Sequence, residues 1–147
     1  MRPHPLFKGH QIPKVHALGE FVLRALTVDD VERDFSAVTE SAADIRASNP
    51  GSRWPEGLTR EANLLDLAWH QREFESARSF AWVIETGSGE YLGCLYVYPS
   101  LGGEKAADVV WWWRTGPLVS KDRFRALLEA WFAGGDWPEL RYDLQRA

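Results

Sequence analysis

The spacing of apolar and polar positions changes several times along the chain, and each change marks an element. Residues 1–19 hold Pro3, Pro5 and Pro13 and three of the four His, with neither a helical nor a strand period. They read as an irregular arm in which Leu6, Phe7 and Ile12 are apolar enough to dock. Glu20 to Leu26, with Phe21, Val22 and Leu23 ahead of Arg24, suits a strand. Thr27 then reads as a helix N-cap, with Asp30 three residues on and two acids in the first turn. Val28, Val31, Phe35 and Val38 recur on one face of a helix running to about Ile45. Ser48-Asn49-Pro50-Gly51-Ser52 is a loop by its turn chemistry. Thr59 is a second N-cap. Its helix is expected to bury Ala62, Leu65 and Trp69, widened by Leu64, Leu67 and Ala68, and to end near Ser76.

The period then becomes that of strands. Phe80 to Glu85 and Tyr91 to Tyr98 are rich in aromatic and β-branched residues and are joined by Thr86-Gly87-Ser88-Gly89, which predicts a hairpin. Asp108 to Arg114 is a third member. Alternation puts Val109, Trp111 and Trp113 on one face and Val110 and Trp112 on the other. A strand apolar on both faces is buried on both, so helices should cover both sides of the sheet. Ser120 is expected to cap a third helix, with Phe124, Leu127, Leu128 and Trp131 as its stripe and Gly134-Gly135 as its stop. Leu140, Tyr142 and Leu144 alternate in a last short strand.

Composition narrows the class. At 147 residues the chain fits one domain, read as an arm over 1–19 and a folded unit over 20–147. Cys94 is the single cysteine, which excludes an intrachain disulfide and a multi-Cys zinc site. A net charge of −4 argues against non-specific nucleic-acid or anionic-membrane binding. No apolar run is long enough to span a bilayer, and the N-terminal residues do not read as a secretory signal. The expectation is a cytoplasmic protein. The eight Trp are the unusual feature.

The order strand–helix–helix–hairpin–strand–helix–strand resembles the GNAT N-acetyltransferase superfamily over roughly residues 20–144. Two stretches carry the resemblance. Leu23-Arg24-Ala25-Leu26-Thr27-Val28-Asp29-Asp30 matches the family's LRxLTxxD opening, and Tyr91-Leu92-Gly93-Cys94-Leu95-Tyr96-Val97 matches the second strand of its hairpin. The resemblance implies an α/β (α+β) fold with a mixed, mostly antiparallel sheet and helices on both faces. It also implies an acyl-CoA-dependent N-acyltransferase that takes acetyl-CoA and a small-molecule amine. Family members hold the pantetheine arm along the fourth strand and the pyrophosphate at the opening of the next helix, where unpaired N–H groups make an anion site. Carried onto this chain, the cofactor-binding residues would be Trp112, Trp113, Arg114 and Lys121.

The chain departs from the family in two places. The phosphate loop of the family reads Gln/Arg-x-x-Gly-x-Gly/Ala, whereas Arg114 is followed by Pro117 and Val119 at the two small positions, and Asp122 adds a negative charge. The helix and strands that usually follow the fifth strand in the family are expected to be lacking, which would leave Leu140–Leu144 as an open edge for the 1–19 arm or a second copy of the chain to cover. The alternative reading is therefore a non-catalytic GNAT-fold domain for ligand binding or dimerisation.

No catalytic residue stands out. Asp108 and Glu85 are candidate bases, with a solvated strand end as the plainer reading of each. Tyr96, Tyr98 and Tyr142 could donate a proton or pack with a wet hydroxyl. His70 reads as a boundary residue or a substrate-pocket group, and Cys94 as a small buried hydrophobe. His4, His10 and His16, six apart, match no ligand spacing. Trp54 lies in the loop that commonly walls the acceptor site in the family.

Overall fold

The structure is a computed structural model that describes residues 2–145. One six-stranded sheet runs in the order β1-β2-β3-β4-β5-β6: β1 is Val15–Leu18, β2 Phe21–Ala25, β3 Phe80–Thr86, β4 Tyr91–Pro99, β5 Ala106–Trp113 and β6 Arg141–Leu144. Neighbours are antiparallel except β5 and β6, which are parallel and linked through helix α4, Lys121–Phe132. Helices α1 (Val31–Glu40), α2 (Ala42–Ser48) and α3 (Arg60–Glu75) precede the central strands.

The alternation expected for β5 is observed. Trp111 and Trp113 pack with Phe124, Leu128 and Trp131 of α4, while Trp112 joins Val31, Val38, Ile45 and Leu67 of α1, α2 and α3. Helices therefore cover both faces, each shielding one side of a strand that has no polar face to leave in water. Among the described residues no helix is long and apolar enough to cross a membrane.

Several expectations are corrected. The segment read as an irregular arm contains strand β1, which pairs with β2 from Val15↔Arg24 to Leu18↔Phe21. Only Leu18 of its four residues is buried, so backbone pairing rather than an apolar stripe holds it, and no period was present to read. The arm lies at the opposite edge from β6 and does not cover it. Ahead of β1 the arm docks as expected, with Phe7 fully buried at 5.0 Å from the Phe80 ring.

The single helix expected to reach Ile45 is broken at Ser41, whose hydroxyl leaves the helix to accept the Thr115 N–H at 2.9 Å. Its buried face is also rotated. Asp34 is 3 % exposed while Phe35 is only half-buried. Thr27 does open this region, its N–H donating to Asp30 at 2.9 Å.

Helix α3 begins where Thr59 predicts, the hydroxyl accepting the Ala62 N–H at 3.1 Å. It buries Asn63, Leu67 and Phe74, however, and leaves Leu65 71 % and Trp69 50 % exposed. Ser120 stands at the N-cap of α4, its carbonyl accepting the Phe124 N–H at 3.0 Å, but its hydroxyl caps no helix N–H.

A register shift between Ile84 and Glu85 of β3 leaves Leu92 of β4 without a partner in β3, while on its other side β4 pairs with β5. The approach is so close that a Cβ on Gly93 would lie 2.0 Å from the Trp112 carbonyl oxygen, so only glycine fits.

Candidate functional site

Polar groups converge on a cleft of about 380 Å³ between the sheet and helices α1 to α3. Its floor is a buried polar cluster. Asp34 accepts from Asn63 Nδ2 at 2.8 Å, from the Tyr91 hydroxyl, and from Cys94 Sγ at 3.6 Å. Tyr91 and Cys94 are themselves 2.9 Å apart. Burial pushes the Asp34 carboxyl above its ordinary range, opposed by the hydrogen bonds it accepts from Tyr91, Asn63 and Cys94. Burial pushes the Cys94 thiol up as well, so it is a protonated donor and not a nucleophile.

The walls are aromatic. Trp112 reaches in from β5 with its Nε1 donating to Tyr96 Oη at 3.0 Å. Trp54 lies 6.3 Å from the Trp112 ring, and Tyr96 stacks on Tyr98 at 6.0 Å. His70 lies between the Tyr96 and Trp69 rings, at 5.2 and 5.0 Å. Desolvation by these neighbours lowers its pKa to about 4, so the imidazole is neutral at pH 7. Asp66, at the rim, has its carboxyl pushed up by partial burial and by the charge of Asp34.

The cleft reaches the junction of β5 and β6, where Trp111 and Gln145 line it. The last β5–β6 pair is Val109↔Leu144. Arg114 N–H donates to Leu92 of β4, and Gln145 N–H donates to the Val109 carbonyl from the other side. Backbone groups point to opposite sides on alternate residues, so those of Trp112 face β4 and those of Trp111 and Trp113 face the β6 side. The Gln145 side-chain amide donates to the Trp111 carbonyl. Trp113 lies beyond the end of β6.

Of the residues carried over from the resemblance, Trp112 thus contributes its ring to the cleft and its backbone to the sheet interior, while Trp113 turns its backbone to the β6 side. Arg114 and Lys121 stand at the two ends of the loop between β5 and α4. Arg114 is paired with Glu40 at 3.3 Å, and Lys121 opens α4 with its side chain exposed. Inside that loop the Thr115 N–H is taken by Ser41, Pro117 has no N–H, and Asp122 sits in the first helical turn. On the β6 side of β5 the Trp111 carbonyl is taken by Gln145, and the Trp113 backbone lies past the last described β5–β6 pair. In the loop before α4, Thr115 and Pro117 offer no free N–H to a diphosphate, while the first-turn amides of α4 carry no side-chain cap.

The other candidates fall elsewhere. Glu85 is buried, but it bridges Arg24 at 3.1 Å and Arg33 at 2.6 Å behind β2 and is structural. Tyr142 donates to the Pro138 carbonyl on the α4 face. His4 accepts the Leu6 N–H, and His16 stacks on Trp131 at 4.3 Å. Asp34, Asn63 and Asp66 were not singled out by the sequence. The available signal was Asp34 on the stripe Val31, Asp34, Val38 and Asn63 on the stripe Asn63, Leu67, Phe74, visible only when polar residues are admitted to a buried face.

No family model matches the chain, and no curated protein matches it by sequence. Solved structures do. RimL, a ribosomal L7/L12 alpha-N-protein acetyltransferase, in complex with coenzyme A is 17% identical at a TM-score of 0.67, over 81% of this chain and 67% of that one. Its apo form gives 0.64 at 16% identity, over 84% and 66%. A putative GnaT-family acetyltransferase from Bordetella pertussis gives 0.59 at 16% identity, over 84% and 74%. The chain spans about two thirds of the length of RimL. It has the fold of the GNAT acyl-CoA N-acyltransferases.

Proposed function

We propose that this protein is an acyl-CoA-dependent N-acyltransferase that transfers an acetyl group to a small-molecule amine. The observation that carries the reading is the meeting of the aromatic cleft with the stretch of β5 that continues past the end of β6. An extended acyl-pantetheine lying along Trp113 would present its thioester to a nucleophile held in the cleft.

When bound, acyl-CoA supplies the carbonyl carbon that the amine nitrogen attacks, with the C–N bond forming as the C–S bond breaks and the thiolate leaves. The chain supplies the proton chemistry. An amine is a nucleophile only after losing a proton; His70, neutral at pH 7, can accept a hydrogen bond from the amine, but a pKa lowered to about 4 makes it a weak proton acceptor, so the amine would react from its neutral fraction. Tyr96 and Tyr98, whose hydroxyls burial holds protonated, are the O–H donors of the cleft. Arg114 and Lys121 are the cations nearest the expected diphosphate.

A second reading is favoured by one observation, the capture of the Thr115 N–H by Ser41. A GNAT-fold domain with its phosphate loop tied down in this way would use the cleft to bind a ligand, or pair β6 with a second copy, without catalysis. Incubation with acetyl-CoA and a panel of primary amines, followed by thiol release and product mass, separates the two. An acetylated amine supports transfer. A cleft ligand that binds while acetyl-CoA neither binds nor is consumed supports the second reading.

A further inference from the structure

The side chains around the cleft share a charge character that the transfer reading does not require. Among the described residues lining it there is no Lys or Arg, while two carboxylates, Asp34 on the floor and Asp66 at the rim, face it. Neither is paired with a cation among the described residues. The nearby guanidinium of Arg33 is held by Asp30 and Glu85, and Arg24 by Glu85. Asp34 has both oxygens occupied by neutral donors, which leaves its negative charge uncancelled. The one basic side chain in the lining, His70, is uncharged at pH 7.

Around these carboxylates stand the rings of Trp54, Trp112, Tyr96 and Tyr98, with Trp69 half-exposed at the mouth. Aromatic faces carry negative quadrupole charge and attract cations, most strongly where water is displaced. An anion would meet two carboxylates and the same ring faces, and a neutral polar ligand would gain nothing from either. The volume, about 380 Å³, is at the lower end of the range for sites that enclose small organic molecules.

We infer that the cleft binds a small organic ammonium with an apolar or aromatic body, its charge held by Asp66 at the rim and its body stacked among Trp54, Trp112 and Tyr98. This rests on the transfer reading only in making that ammonium the acceptor. The binding itself needs no acyl donor. Of the amine classes open to a GNAT fold, it selects a compact apolar monoamine over the terminal amine of a polypeptide, whose following residues would have to leave through the mouth past Trp69.

The test is a titration of the full chain, without any acyl donor, followed by calorimetry and tryptophan fluorescence. The probes are 2-phenylethylamine, its quaternary trimethylammonium analogue, 2-phenylethanol, 3-phenylpropanoate and a seryl tripeptide amide. Both cations should bind at least about tenfold more tightly than the alcohol and the carboxylate. Asp66→Asn should weaken the two cations by about tenfold and leave the alcohol unchanged, a pattern that a merely disturbed cleft would not give. Equal affinity for alcohol and cation, tighter binding of the carboxylate or the tripeptide, an unaffected Asp66→Asn, or no binding of any probe at millimolar concentration would each overturn the inference. The quaternary cation cannot be acylated. Its binding without acetyl-CoA consumption would therefore leave this inference standing and remove the transfer reading, and acetylation of an amine that ignores Asp66→Asn would do the reverse.

Discussion

A neutral His70 makes the stability of the fold depend on pH in a direction that can be worked out. The unfolded chain protonates this imidazole near 6.5, the folded one near 4. Between these values the unfolded state binds a proton that the native state does not, so stability falls as pH drops from 6.5 toward 4 and is complete above 6.5. At 1.36 kcal/mol per pH unit the full difference is about 3 kcal/mol, and about 2 kcal/mol of it should be lost between pH 7.5 and 4.5 once the solvated ring edge is allowed for. Asp34, Asp66, His4 and His16 titrate over neighbouring ranges and would blur this in the wild type alone. His70→Gln removes the proton site while keeping a polar side chain of similar reach. Urea unfolding of both proteins at pH 7.5, 6.0, 5.0 and 4.5 gives the difference in stability at each pH, in which the shared titrations cancel. That difference should shrink by about 2 kcal/mol across the series. A pH-independent difference, or an imidazole that titrates between pH 6 and 7 by NMR, would refute the burial argument.

Three further outcomes are expected. Gly93→Ala should destabilise the fold by ~2 kcal/mol or more, because the added Cβ meets the Trp112 carbonyl; thermal unfolding measures it, and a change within experimental error would contradict the close approach. Asp34→Ala should cost about 3 kcal/mol in urea unfolding at pH 7, since it orphans the buried Asn63 amide and Tyr91 hydroxyl together. Ser41→Ala should cost about 1 kcal/mol and release the Thr115 N–H, so that hydrogen exchange at Thr115 speeds up while the centre of β4 is unchanged; equal protection in both proteins would show that the hydroxyl does not hold the loop.

The sequence was legible where one element decides its own burial. Trp111-Trp112-Trp113 could be divided between two faces because a strand alternates regardless of what packs on it, and Thr59 announced its helix because a cap acts within one turn. The candidate site was harder to read, since its polar members are buried by residues distant in the chain. Asp34 and Asn63 lie 29 residues apart and each justifies the other's burial. Alone, each makes its helix look as if that face were exposed, which is why Phe35 and Leu65 were placed inward. Ser41 breaks a helix for a partner 74 residues away. Strand β1 carried no pattern because it buries one side chain and exists by pairing with β2. The departure at Pro117 and Val119 could be read directly, but the capture of the Thr115 amide could not.

The central claim is that the β5 edge beside the cleft takes an acyl-pantetheine, while the loop before α4, with no free N–H at Thr115 or Pro117, holds a diphosphate weakly and through Lys121. Calorimetric titration with acetyl-CoA and, separately, with S-acetylpantetheine tests it most directly. The account predicts that both bind, with affinities within about tenfold of each other, and that Lys121→Glu weakens acetyl-CoA alone. Absence of heat with either ligand at millimolar concentration would contradict it.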